Sequence, residues 1–175
     1  MLADLINFDK VRRAIAYAAY ILVVLLFQNL FFAEITVLGV RAMFVPAVIV
    51  AVGMYEGGVW GAVFGLLTGI FCDMSLGNTA LFTALLPVVG FFSGMLFERA
   101  VNRSFFAYMC VSLAALVFIG FGQMFRLLVF LGQSPLALFR TLLFQTLWSL
   151  PPAALVYLPC GWLSRRRVGN ERKAQ

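Results

Sequence analysis

Six apolar runs, separated by short segments that gather nearly all the charge, organise the chain from Ala14 to about Trp162. The first, Ala14 to Ala33, holds about 20 residues, the length at which a helix crosses a hydrocarbon core ~30 Å thick. A second run covers Ala42 to Tyr55, and after Glu56 a third extends from about Gly57 to Cys72. Fourteen residues rise only ~21 Å as a helix, so this pair reads either as two short spans or as a hairpin that enters the membrane and returns. The fourth run, Ala80 to Phe97, closes on Glu98, Arg99, Asn102 and Arg103. Ser104 is placed to cap a fifth run that reaches about Phe125, where Arg126 is expected to stop it. Ser134-Pro135 suits a helix start, serine as cap and proline in the first turn. The sixth run then extends to about Trp162, with bends expected at Pro151, Pro152 and Pro159. The resulting organisation is a basic segment over 1–13, one all-α membrane domain of about six transmembrane helices over 14–163, and a basic, frayed tail over 164–175.

The third run carries the most distinctive pattern. Gly57, Gly61, Gly65 and Gly69 recur every four residues, and Asp73, the only carboxylate inside a long apolar run, falls on the next rung. Positions four apart in a helix drift only ~40° per step, so Gly65, Gly69 and Asp73 share a narrow face that another helix can approach closely. Such contact matters in lipid, where helices associate through van der Waals packing and not through the hydrophobic effect. A charge in a membrane segment costs ~2.5–3.5 kcal/mol on insertion scales and generally finds a partner. Two roles stay open for Asp73: an outer ion pair with Arg126 or Arg140, or an interfacial stop before the turn Ser75-Leu76-Gly77-Asn78.

Composition and charge place these runs in a membrane. The chain is 63% hydrophobic and 11% charged, against ~45–50% and ~25% in soluble domains. Its net charge of +6 sits beside apolar runs, where it orients spans and meets anionic lipid; nucleic acid is not an expected partner. Assigning segments to alternate sides puts ten Lys and Arg on one side and three, Arg41, Arg126 and Arg140, on the other. The positive-inside rule then places both termini in the cytoplasm of a multi-pass protein. The apolar stretch after Lys10, Arg12 and Arg13 is longer than the ~7–15 residue core of a signal peptide, and Phe31 would occupy the −3 position of a cut after Ala33. The first run is therefore expected to remain as an uncleaved span.

The candidate chemistry is sparse. Cys72, Cys110 and Cys160 are far apart and lie in or beside apolar runs, with neither disulfide nor metal-ligand spacing. Histidine is absent, which removes the commonest acid-base group and metal ligand. Asp73 has no second intramembrane carboxylate to share a proton or a metal with. The chain is thus expected to be non-enzymatic and to need no cofactor, with Gln28, Asn29, Gln123 and Gln145 locking helices together.

Pro46, Tyr55-Glu56-Gly57-Gly58, the run from Gly61 through Gly65 and Gly69 to Asp73, then Leu76-Gly77, Ala80-Leu81 and Gly90 together form a pattern that resembles MreD, the bacterial rod shape-determining membrane protein family. The likeness in motif covers roughly Pro46 to Gly94 and makes Gly65, Gly69, Asp73 and Gly77 the characteristic positions. It implies a scaffold of the cell-elongation machinery in the inner membrane, bound to the bitopic protein MreC and supporting peptidoglycan synthesis; a homo-oligomer stays open. It also implies a fold similar to the substrate-binding subunits of energy-coupling-factor vitamin transporters. Such a transporter subunit is the alternative function, and Ala14 and Ala18 form a small-xxx-small pair on the first helix like the one those subunits use to dock. Ala14 and Ala18 are accordingly a candidate partner face in either role.

Overall fold

The structure, a computed structural model, describes residues 8–31, 36–37, 40–41, 43–76, 80–99, 104–131 and 135–171. Among them the chain forms six helices and one small hairpin: α1 (Phe8–Phe31), β1 (Thr36–Val37), β2 (Val40–Arg41), α2 (Val45–Glu56), α3 (Gly58–Leu76), α4 (Leu81–Arg99), α5 (Phe105–Leu131) and α6 (Pro135–Glu171). Each apolar run becomes one helix. Three of them, over Gly58–Ser75, Leu81–Arg99 and Phe105–Val129, are long and apolar enough to cross a membrane; Ile15–Gln28 and Val45–Glu56 are shorter apolar helical stretches. Large apolar side chains such as Met74, Phe106 and Leu136 stand on the outer surface, the arrangement of a protein whose solvent is lipid.

Three expectations are corrected. The segment before α2 is not only a linker: β1 and β2 pair antiparallel, Thr36 opposite Arg41 and Val37 opposite Val40, so the described chain is helical apart from this hairpin. α5 does not stop at Arg126 but continues to Leu131. Arginine is a good helix former, and its long side chain can carry the charge away from the axis. α6 runs through all three prolines to Glu171, into residues expected to fray, because a formed helix propagates into neighbouring Arg and Glu at little cost. Ser104, by contrast, caps as expected, its Oγ accepting from Ala107 N at 3.2 Å.

The short α2 is the hub. Every residue from Val45 to Met54 is buried, and α1, α3, α4, α5 and α6 all pack against it. A helix apolar on all sides belongs in an interior, and its twelve residues rise only ~18 Å. Its entry is held by polar groups of surrounding helices. Met43 N donates to Ser149 Oγ of α6 at 2.9 Å, Phe44 N donates to Gln28 Oε1 of α1 at 3.3 Å, and Gln123 Nε2 of α5 reaches Met43 Sδ at 3.2 Å. Backbone donors inside a membrane protein need such internal partners, so Gln28 and Gln123 do lock helices together.

One turn further along α2 an aromatic group ties α2, α5 and α6. Tyr108 is fully buried, and its hydroxyl proton is shared between Ala153 O at 2.9 Å and Ala47 O at 3.2 Å. Tyr157 stacks beside it at 5.1 Å between ring centroids, with Phe105 at 5.2 Å on the same ring. Tyr108→Phe removes one hydrogen bond from carbonyls that also serve their own helices. It is expected to cost about 1 kcal/mol, whereas Tyr108→Ala, which opens a cavity, should cost about 3–5 kcal/mol. Unfolding curves of the detergent-solubilised protein would check the order.

Candidate functional site

The α3–α4 hairpin is where the sequence signature becomes geometry. The two helices run antiparallel with their backbones pressed together. A Cβ added to Gly61 would lie 2.5 Å from Gly90 O, one on Gly65 2.6 Å from Leu86 O, and one on Gly69 2.6 Å from Phe82 O. Three successive rungs of α3 therefore meet three successive turns of α4 in a single register. Approach this close presents α4 carbonyls to the glycine Cα–H groups, a weak contact that recurs where helices pack backbone to backbone. Gly90 and Gly94 complete the seam from the α4 side, Gly94 against Gly58.

Gly57 proves to be something other than the first rung. It is the one residue between α2 and α3, with φ at +95°, a conformation that glycine alone adopts without strain. Its N–H donates to Gly53 O and its carbonyl accepts from Gly61 N, both at 2.9 Å. Gly58 takes its place at the interface, its added Cβ falling 2.9 Å from Phe91 O. Gly53 brings α2 into the same seam: a Cβ there would lie 2.7 Å from Ser93 Oγ and 2.9 Å from Gly90 O.

Asp73 closes the other end of the hairpin. Its Oδ1 accepts from Phe82 N at 3.1 Å, and its Oδ2 accepts from Thr83 N at 2.8 Å and from Thr83 Oγ1 at 2.7 Å. These amides belong to the first turn of α4, where N–H groups have no intrahelical acceptor. The residue before α4, Ala80, has φ at +49° and no side-chain oxygen, so it cannot act as the cap; Asp73 supplies the acceptors from the neighbouring helix. A negative charge at that point also meets the positive end of the helix dipole. At 8% exposed, the carboxylate sits inside the protein.

The outer ion pair is therefore replaced by a different arrangement. Asp73 reaches the α4 amides, and among the described residues no ion pair joins it to Arg126 or Arg140. Arg140 instead lies 5.7 Å from the centroid of the Phe144 ring. The physical reason is distance along the chain: the ladder that carries Asp73 already packs on α4, whose open N-terminus lies at the next rung. Gly77 and the side chain of Ala14 fall outside the described residues, while Ala18 is exposed on α1.

The sequence pattern did not bring Thr83, Gly53 or Ser93 forward. Gly53 continues the four-residue glycine period backwards, and Gly90 and Gly94 are themselves four apart, so the tight seam had a signal on both sides. Thr83 had none beyond its place three residues past Ala80. Chemically the site is saturated: both Asp73 oxygens are engaged, Ser93 Oγ donates to Gly90 O at 3.1 Å and Thr68 Oγ1 to Phe64 O at 2.6 Å. Among the described residues no group of three His, Cys, Asp or Glu is placed to hold a metal ion. No family model, curated protein or solved structure matches the chain.

Proposed function

We propose that the chain is a non-enzymatic scaffold of the bacterial inner membrane, of the MreD type, that binds a bitopic MreC-like protein within the cell-elongation machinery. The observation that carries this proposal is the α3–α4 hairpin. Its glycines and its one buried carboxylate are wholly engaged in fixing one helix against another, which makes a rigid body whose outward faces are left for neighbours. In this role all six helices lie in the membrane, both termini face the cytoplasm under the positive-inside rule, and the ends of α1 and α3 face the periplasm. The exposed α1 residues Ile15, Val23 and Leu30 are the proposed partner face; Ala18 lies on the side of α1 turned toward α3.

Cysteines at Ile15, Val23 and Leu30, crosslinked in native membranes, are expected to capture a single-span protein with a periplasmic coiled coil. Cysteines at Val45 or Ile49, buried in the hub, should capture nothing. Tight binding of a vitamin to the purified chain in a thermal-shift series would overturn the scaffold role and favour a transporter subunit.

A further inference from the structure

A groove runs between α1 and α3, with a cavity volume of about 310 Å³. Ile21 and Leu25 of α1 and Phe64 and Phe71 of α3 form its apolar walls, and Gln28 and Ser75 stand at one end. The two helices lie side by side in the same direction: Tyr17 meets Phe64 near the start of the groove, and Gln28, bonded to the residue that opens α2, marks the end where α3 also finishes. We propose that this groove holds one acyl chain of a glycerophospholipid, with the lipid's ester and phosphate oxygens at the Gln28–Ser75 end.

Length and polarity each point to that occupant. Ten residues separate Ala18 from Gln28, ~15 Å of helix, which is the depth of one leaflet of a ~30 Å core. Along that length the groove is open to the surrounding lipid beside the exposed Leu22, Leu26, Leu67 and Phe71. Polarity is graded in the sense a lipid requires. Midway along the groove the Thr68 hydroxyl is turned away into its own helix, donating to Phe64 O, so the wall there is apolar. At the end, Gln28 Oε1 is engaged by Phe44 N, which leaves the amide N–H groups of Gln28 and the Ser75 hydroxyl as donors toward acceptor oxygens. The proposal does not depend on the scaffold role, because any function of the chain would be carried out in lipid.

The test uses the full chain in phosphatidylethanolamine vesicles containing phosphatidylglycerol with a diazirine midway along one acyl chain. After irradiation and peptide mapping, adducts at Leu25, Phe64 and Phe71 are expected to exceed those at the exposed residues Phe106 and Val129 by about tenfold, the ratio that 1.4 kcal/mol of preference gives. Equal labelling of groove and outer faces overturns the proposal. In mass spectra of the protein released from mild detergent, the wild type should retain one phospholipid and Ala18→Trp should lose it. Retention by a folded Ala18→Trp variant, or recovery of an isoprenoid phosphate in place of phospholipid, also overturns it. So does crosslinking of the groove residues to a partner helix in native membranes. If Ala18→Trp does not fold, the adduct map on the unaltered chain decides alone.

Discussion

Gly65→Leu is expected to prevent the chain from reaching a folded, monodisperse state in detergent. The next atoms beyond its absent side chain are Leu86 O at 2.6 Å and Pro87 Cα at 3.0 Å, and both belong to backbone that cannot rotate away. Overpacking a core that can adjust costs about 1–3 kcal/mol; here α3 must leave α4, which opens the seam along its whole length. A graded series makes the argument testable. Gly65→Ala and Gly69→Ala each add one methyl against backbone, and should still lower stability by about 2–3 kcal/mol although alanine favours a helix by nearly 1 kcal/mol over glycine. Gly122→Ala is the control, because its Cβ would meet only the Leu85 side chain, chiefly the Cδ1 methyl, the far end of a side chain that can turn. It should stay within about 1 kcal/mol of wild type, its helix gain offsetting a small repacking cost. If Gly65→Ala and Gly122→Ala unfold alike in parallel titrations, backbone contact is not what holds the hairpin.

Much of this was legible in the pattern of residues, and the limits of that legibility are physical. A helical period reports which residues share a face, so Gly61, Gly65, Gly69 and Asp73 fall together on spacing alone. It does not report what the face meets, and the choice between Arg126, Arg140 and an exposed end turned on the position of the α4 N-terminus. The four-residue spacing also treated Gly57 as a rung, because periodicity is blind to a one-residue turn that interrupts two helices without shifting the count. Ser104 was recognisable as a cap because its acceptor acts three residues away. Asp73 caps across nine and ten residues, beyond what local rules contain. The central place of α2 was hidden for a related reason: a short run apolar on all sides states that it is surrounded, not by which helices.

Asp73→Ala is expected to rank with Tyr108→Ala among the most damaging single changes that add no bulk. It removes both oxygens from three donors in the first turn of α4, two of them backbone amides that have no other acceptor in the helix. Hydrogen bonds to a charged group contribute about 1.5–3 kcal/mol each, and a buried donor left unpaired adds its desolvation penalty. The three share one carboxylate and are not additive, so about 3–5 kcal/mol in total is the expected loss on this scale. Asp73→Asn keeps one acceptor but turns an NH2 group toward the other amide; it should fall between wild type and alanine. Charge is secondary to geometry here, and a swap experiment separates the two. If Asp73 held an outer arginine, Asp73→Arg combined with Arg126→Asp or Arg140→Asp would restore what Asp73→Arg alone removes. Because the carboxylate caps α4, neither combination should restore stability, and rescue by either one would show that the cap is not its principal role. Hydrogen exchange gives a local reading of the same point. The amides of Phe82 and Thr83 should lose protection in Asp73→Ala well before those of the Gly61–Gly90 seam, since removing the cap frays α4 from its first turn.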